Sequence, residues 1–296
     1  ICSREQHSDL FFATFGGIGL TGVITEVTLQ LQRIPSSYLS VYYEKTQYIE
    51  EMFELFESFQ QEEFLIAWLD GMQSERMFGK GVFTAASYAK EERKERKPPK
   101  TLSIPFFFPN GFLRPWMVRY YNHWYYDHHP HQKTVLESID SFFYPLDSIL
   151  NWNRIYGKRG FLQYQFVLPL SASLTGIRKI WKTIWKSGYL PYLVVLKRFG
   201  NAASSPLSFP MEGYCFALDF PILHSSIFSL FEQLDQLVTE HGGRIYLAKD
   251  ACMKKEIFFQ MYNDVDRFQQ IKANVDPNGR FSSSMSRRLG ITEGAS

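Results

Sequence analysis

Apart from the polar pair Thr25-Glu26, apolar and polar residues alternate from Ile24 to Leu31 (Ile24-Thr25-Glu26-Val27-Thr28-Leu29-Gln30-Leu31), the two-residue period of a strand with one covered face. Ahead of that strand, Asp9 onward has the form of a short amphipathic helix that runs into glycines Gly16, Gly17, Gly19 and Gly22. Glycine admits positive φ and lets backbone approach a ligand closely. The dinucleotide fingerprint needs a strand before its glycines and a helix after them. The order here is helix, glycines, strand, so that reading fails. Two readings of the loop stay open: a cofactor loop, or a tight helix-to-strand connection with a glycine cap.

Further along, residues 38–90 read as strand, helix, strand, strand, with Met52, Phe53, Leu55, Phe56 and Phe59 on one side of the helix. Lys90 to Lys100 is a charge run expected to be a solvated loop. Residues 104–132 are aromatic-rich and punctuated by Pro and Gly, which suggests a flap on the core or a lipid-facing segment. Strands are predicted at Phe161–Leu168, Tyr192–Phe199, Tyr214–Phe220 and Arg244–Leu247. Helices are predicted at Ser173–Ser187, closed by Gly188, at Ser225–His241, and over 254–271. The fold class is therefore α+β, an antiparallel sheet with helices packed on one face.

Composition narrows the classes. A chain of 296 residues is long enough for two domains, and its 45% hydrophobic content supports a sizeable core. A net charge of +2 argues against a nucleic-acid partner. Cys2, Cys215 and Cys252 are far apart and offer neither a disulfide framework nor a zinc motif. No apolar run is long enough to span a membrane, and the first residues do not resemble a signal peptide. The chain opens at Ile1 without Met, which reads as a piece of a longer protein.

Candidate chemistry sits on the predicted strands. Gln163 and Gln165 share one strand face, where they could bind hydroxyls or a flavin edge, or simply meet solvent. Lys197 is in phase with Leu193 and Val195, so it is either aimed at a covered face towards an anion or snorkels to water. Lys249 follows a strand end and precedes Asp250, suited to a phosphate, a carboxylate or a reduced flavin, or to a surface Lys–Asp turn. His123, His128, His129 and His131 cluster without a clear helical carboxylate partner, so no metal site is expected.

The ordered blocks FFATFGGIGLTGVI, AWLDG, FFFPNGF, FYPLD, WNRIYGKRGFLQYQFVLP, LKRFG, SSPLSFP, LDFPI, GGRIYLAKD and VDPNGRFSSSMSRRL join these pieces. Together they resemble the FAD-linked oxidases of the vanillyl-alcohol-oxidase type, and within them the branch that oxidises polyprenyl-phosphoryl ribose. The resemblance implies that residues 1–36 and 247–296 are parts of an FAD-binding domain and residues 37–246 a substrate-binding domain. The family's N-terminal FAD subdomain has no counterpart in this sequence. Non-covalent FAD is the implied cofactor, with Gly16, Gly17, Gly19, Gly22, Tyr246 and Lys249 near it and Lys249 catalytic. Gln163, Gln165, Lys197, Trp68, Phe199 and Cys215 are implied on the substrate side. The family's reactive cysteine falls on Ala217, so Cys215 is not expected to take that role.

The implied reaction is hydride transfer from C2 of the ribose to flavin N5. An aldonolactone or sugar-alcohol oxidase is the alternative, weakened by the absence of a His-Trp-x-Lys signature near the C-terminus. A lipid- or partner-binding module without FAD is the third reading. The implied partners are a polyprenyl-phosphate sugar or related polyol and a short-chain reductase, with peripheral membrane association. The expected location is the cytoplasm, with membrane-associated and periplasm-facing placements left open.

Overall fold

The computed structural model describes residues 1–90 and 101–292. The charge run from Glu91 to Lys100 lies outside the described residues. In chain order the elements are α1 (Ser8–Thr14), β1 (Tyr38–Tyr48), α2 (Ile49–Ser58), β2 (Phe64–Leu69), β3 (Gly79–Tyr88), β4 (Leu102–Ser103), α3 (Pro115–His128), β5 (Lys133–Ser138), α4 (Ile139–Phe143) and β6 (Ile149–Leu150). There follow β7 (Phe161–Pro169), α5 (Leu170–Ser187), β8 (Leu193–Phe199), β9 (Gly213–Pro221), α6 (Ile227–Glu240), β10 (Arg244–Ile245), α7 (Lys255–Met261), α8 (Val265–Val275) and α9 (Ser284–Arg288).

Eight strands form one sheet in the order β10-β7-β9-β8-β2-β3-β1-β5, and every neighbouring pair is antiparallel. Alternation along each strand sorts the side chains. Tyr164, Phe166 and Leu168 of β7, Val194 and Leu196 of β8, Phe216, Leu218 and Phe220 of β9, and Ala67 and Leu69 of β2 enter one buried cluster. Helices α2, α5 and α6 close that face. Ile177, Ile180, Trp181 and Ile184 give α5 a buried stripe at helical spacing, and Ile227, Leu230, Phe231, Leu234 and Val238 do the same for α6. Each such side chain contributes roughly 2 kcal/mol by leaving water. Gly188 ends α5 at φ 75°, a left-handed cap that no β-branched residue would take readily. Ala13 and Leu20 near the start of the chain, and Met253, Phe258 and Phe268 near its end, join the same cluster.

Several elements differ from expectation. The alternating segment 23–31 joins no sheet, and Val23, Ile24, Val27, Leu29 and Leu31 are exposed. A period of two gives a strand only where a neighbouring strand accepts its ladder of hydrogen bonds, and the described residues supply none. The strand predicted over Arg244–Leu247 stops at Ile245, because Leu247–Lys249 turns into a 3₁₀ helix. The single helix predicted over 254–271 is two, α7 and α8, separated at Tyr262–Asp264.

The aromatic segment contains the 14-residue helix α3, whose uneven aromatic pattern concealed its period. It lies on the sheet face opposite α2, α5 and α6. There Tyr126 packs with Leu39, Val41, Val82 and Ala86, and Tyr125 approaches Trp68 at 4.7 Å. Asn122 Nδ2 donates to Asp70 Oδ1 at 2.6 Å and fixes the helix to the end of β2. With α3 visible, His123 Nε2 is seen 3.1 Å from Asp127 Oδ2, so the histidine cluster does contain a helical carboxylate pair. Among the described residues no group of three metal-ligating side chains gathers.

Candidate active site on the open sheet face

The face of β7, β9 and β8 turned away from the helices carries the polar residues. Register places them in rows. Gln163 faces Asp219, which faces Leu193. Gln165 faces Ala217, Ala217 faces Val195, and Val195 faces Trp68. Val167 faces Cys215, which faces Lys197. Gln163, Gln165, Lys197, Cys215 and Trp68 therefore share one face, and Phe199 lies at its edge against Phe209. Lys197 is exposed on this open face and is not covered by packed side chains.

Asp219 is the residue that the sequence reading left out. It is buried at 2% exposure, within the otherwise apolar run Phe216–Pro221. Gln163 Nε2 donates to its Oδ1 at 2.7 Å. Burial pushes the Asp219 carboxyl up to about 6, while the Gln163 hydrogen bond and the nearby Lys249 charge draw it back. A single acid in phase with Cys215 inside an apolar strand is the signal that could have revealed it. Tyr156, whose hydroxyl burial pushes upward, stacks on Tyr192 at 6.1 Å, and the Tyr192 amide donates to the Asp219 carbonyl at 2.8 Å. These two rings wall the Asp219 end of the face.

Cys215 is buried beside Val167 and Phe209. Gln165 Nε2 lies 3.3 Å from its Sγ. Burial pushes the thiol up to about 11 despite the opposing pull of Gln165 and Lys197. A thiol held neutral is a poor nucleophile.

Tyr246 caps the other end. Its amide donates to the Gln165 carbonyl at 2.9 Å, and its ring stacks on Phe209 at 4.6 Å. Past it, the 3₁₀ turn carries the exposed Lys249 back towards Asp219, where its charge is felt. The glycine loop reaches this end through residues 205–209: Ser205 Oγ donates to the Phe15 carbonyl, and a Cβ on Gly16 would lie 3.2 Å from the Leu207 carbonyl. Gly16 and Gly19 adopt φ 66° and 76°. Space around Gly19 and Gly22 is open, with nothing within 4 Å of an added Cβ.

This chain shares its overall architecture, a broad antiparallel sheet packed against helices, with a solved FAD oxidase. The glucooligosaccharide oxidase of Acremonium strictum, which carries a 6-S-cysteinyl, 8α-N1-histidyl FAD, superposes with a TM-score of 0.56 at 14% identity. That match covers 97% of this chain and 63% of the oxidase, and it speaks to fold.

The sequence comparisons go further. Residues 162–289 match the D-arabinono-1,4-lactone oxidase family. The decaprenylphosphoryl-β-D-ribose oxidase of Mycolicibacterium smegmatis is 33% identical over 95% of this chain and 63% of its own length. A protein of Streptomyces coelicolor, described only as uncharacterized and lying in the mprA 5′ region, is 28% identical over 97% of this chain and 82% of its own length. Over nearly its whole length the chain is thus similar to the mycobacterial ribose oxidase, and it spans 63% of that protein's length.

Proposed function

We propose that the protein is an FAD-dependent oxidoreductase that oxidises a sugar hydroxyl, at C2 of a polyprenyl-phosphoryl ribose. The observation that carries this reading is the gathering of Gln163, Gln165 and Asp219 on one open sheet face with Lys197 and Lys249 at its margins. On it, residues 37–246 form the substrate domain, and residues 1–36 and 247–296 face the cofactor. Similarity to the mycobacterial ribose oxidase supports the choice of sugar.

The residues present fit a flavin. Backbone at Gly19 and Gly22 is open to close approach, Tyr246 and Phe209 form an aromatic stack, and Lys249 supplies a cation near Asp219. Bound FAD would supply the two-electron acceptor, at N5, for the hydride from C2. The chain's own groups do the rest. Gln163 and Gln165 orient the sugar hydroxyls. Asp219, ionised above about pH 6, takes the hydroxyl proton at Oδ2, while Gln163 holds Oδ1. Lys249 sets positive charge against the developing alkoxide. Lys197 pairs with the substrate phosphate, and Trp68 and Phe199 flank the sugar. The keto sugar so formed is the substrate of a reductase, and a short-chain reductase fits as partner.

The test is spectroscopic. Purified protein supplied with FAD should show flavin absorbance that bleaches anaerobically on addition of a prenyl-phosphoryl ribose. Flavin that binds but stays oxidised with that substrate overturns the substrate assignment. Failure of the protein to hold flavin at all leaves the binding-module reading in its place.

The match of residues 162–289 to the lactone oxidase family favours one second reading, an aldonolactone or sugar-alcohol oxidase on the same face. Bleaching by a lactone or an alditol, and not by the prenyl-phosphoryl ribose, would establish it.

A further inference from the structure

Helix α3 seats one side on the protein through Val118, Asn122 and Tyr126, spaced four residues apart. An ordinary surface helix would turn charged side chains outward from that seat. This one turns out Trp116, Tyr120, Tyr121 and Trp124, and the first two are 68% and 71% exposed. Trp116, Tyr120 and Trp124 recur every four residues and so form a single stripe.

The band continues into the loop before the helix, where Phe106, Phe107 and Phe112 are exposed. Leu113 ties that loop to the helix by packing in one cluster with Val118 and Tyr192. Over residues 101–134 the basic side chains are Arg114, Arg119 and Lys133, set against one acid, Asp127. A contiguous exposed apolar patch of this kind marks an interaction site. Its composition chooses the partner. Trp and Tyr have an apolar body and a polar tip and concentrate at the headgroup level of bilayers, and flanking arginines favour anionic lipid. Among the described residues no helix is long and apolar enough to cross a membrane, so the contact lies in the interfacial plane.

We infer that the exposed aromatic stripe of α3, together with the Phe106–Phe112 loop and Arg114 and Arg119, is a docking surface for an anionic lipid bilayer. The placement brings the open sheet face to the membrane. Tyr125 of the same helix packs on Trp68, and Leu113 accepts a hydrogen bond from Tyr192 at 2.9 Å beside the Asp219 end of that face. The inference stands apart from the oxidase reading, since it needs neither flavin nor sugar.

Vesicle flotation tests it, with phosphatidylcholine vesicles made with and without phosphatidylglycerol. The whole chain should float with the anionic vesicles, and added salt should weaken the association. Trp116→Ser, Tyr120→Ser and Trp124→Ser combined should weaken it by about tenfold or more while leaving the circular dichroism spectrum unchanged. If the aromatic variant is poorly folded, Arg114→Glu with Arg119→Glu gives an independent reading and should abolish the preference for phosphatidylglycerol. Equal flotation of the folded variants, or no flotation of the wild type, overturns the inference. Concentration-dependent self-association without lipid, lost in the aromatic variant, would also overturn it and reassign the stripe to contact between copies.

Discussion

Gln163 and Asp219 face each other in register on β7 and β9, and the amide of the first donates to the carboxylate of the second at 2.7 Å. That contact ties one oxygen of a carboxylate that is otherwise buried. Burial holds the acid near 6, so its ionised form builds up as pH rises through that value. Asp219→Asn should lower kcat by about a hundredfold and remove the rise in kcat around pH 6. Steady-state rates of FAD-loaded protein across pH check this, with thermal melts as a folding control. A variant that keeps both its rate and its pH step would exclude Asp219 as proton acceptor.

Lys197 stands exposed on the same face, in register with Cys215. If it pairs with phosphate, Lys197→Ala should raise KM for the phosphorylated sugar by roughly tenfold or more with kcat little changed. KM for an unphosphorylated sugar analogue should not move. Equal effects on both substrates would remove Lys197 from phosphate binding.

Two glycines of the loop separate structure from ligand approach. A Cβ on Gly17 would lie 2.2 Å from the Ala13 carbonyl and 3.3 Å from the Phe268 ring. Gly17→Ala should therefore cost about 2 kcal/mol and lower Tm by roughly 5 °C. Gly19 has positive φ and open space, so Gly19→Ala should cost only about 1 kcal/mol of strain and act mainly on FAD retention. Paired melts and flavin-to-protein absorbance ratios distinguish the two effects.

Asp235 lies buried under the sheet and accepts from the Tyr164 hydroxyl at 2.8 Å. Burial pushes its carboxyl up to about 7, and Asp250 and Glu232 push the same way. The folded state then binds a proton more tightly than the unfolded chain, so this group lowers stability as pH rises from about 4 to about 7. The cost above that window is on the order of 4 kcal/mol. Asp235→Asn keeps an acceptor for Tyr164 and should flatten the fall in Tm between about pH 4 and about pH 7. An unchanged pH profile of Tm would show that Asp235 does not govern it.

The elements that the sequence made legible are those whose burial pattern is complete within themselves. Ile177, Ile180, Trp181 and Ile184 mark α5 by their spacing, and Gly188 marks its end. Gln163 and Gln165 stand out as polar residues in phase on an aromatic strand. Helix α3 was hidden because aromatics occupy both its seat and its outer stripe, so no polar face reveals the period. Asp219 was hidden because one acid among Phe216, Leu218 and Phe220 reads as part of the strand until its face is known.

Local periodicity thus determined the α+β class, the main strands and helices, and the two glutamines, because each depends on contacts within a few residues. Only the tertiary structure decided which strands are neighbours. It left the alternating segment 23–31 without a partner strand among the described residues, set Asp219 against Gln163 from 56 residues away, and turned Lys197 and Cys215 to the same face. The physical reason is register. A side chain's face follows from its own strand, but its partner follows from the hydrogen-bonded alignment of two strands far apart in the chain.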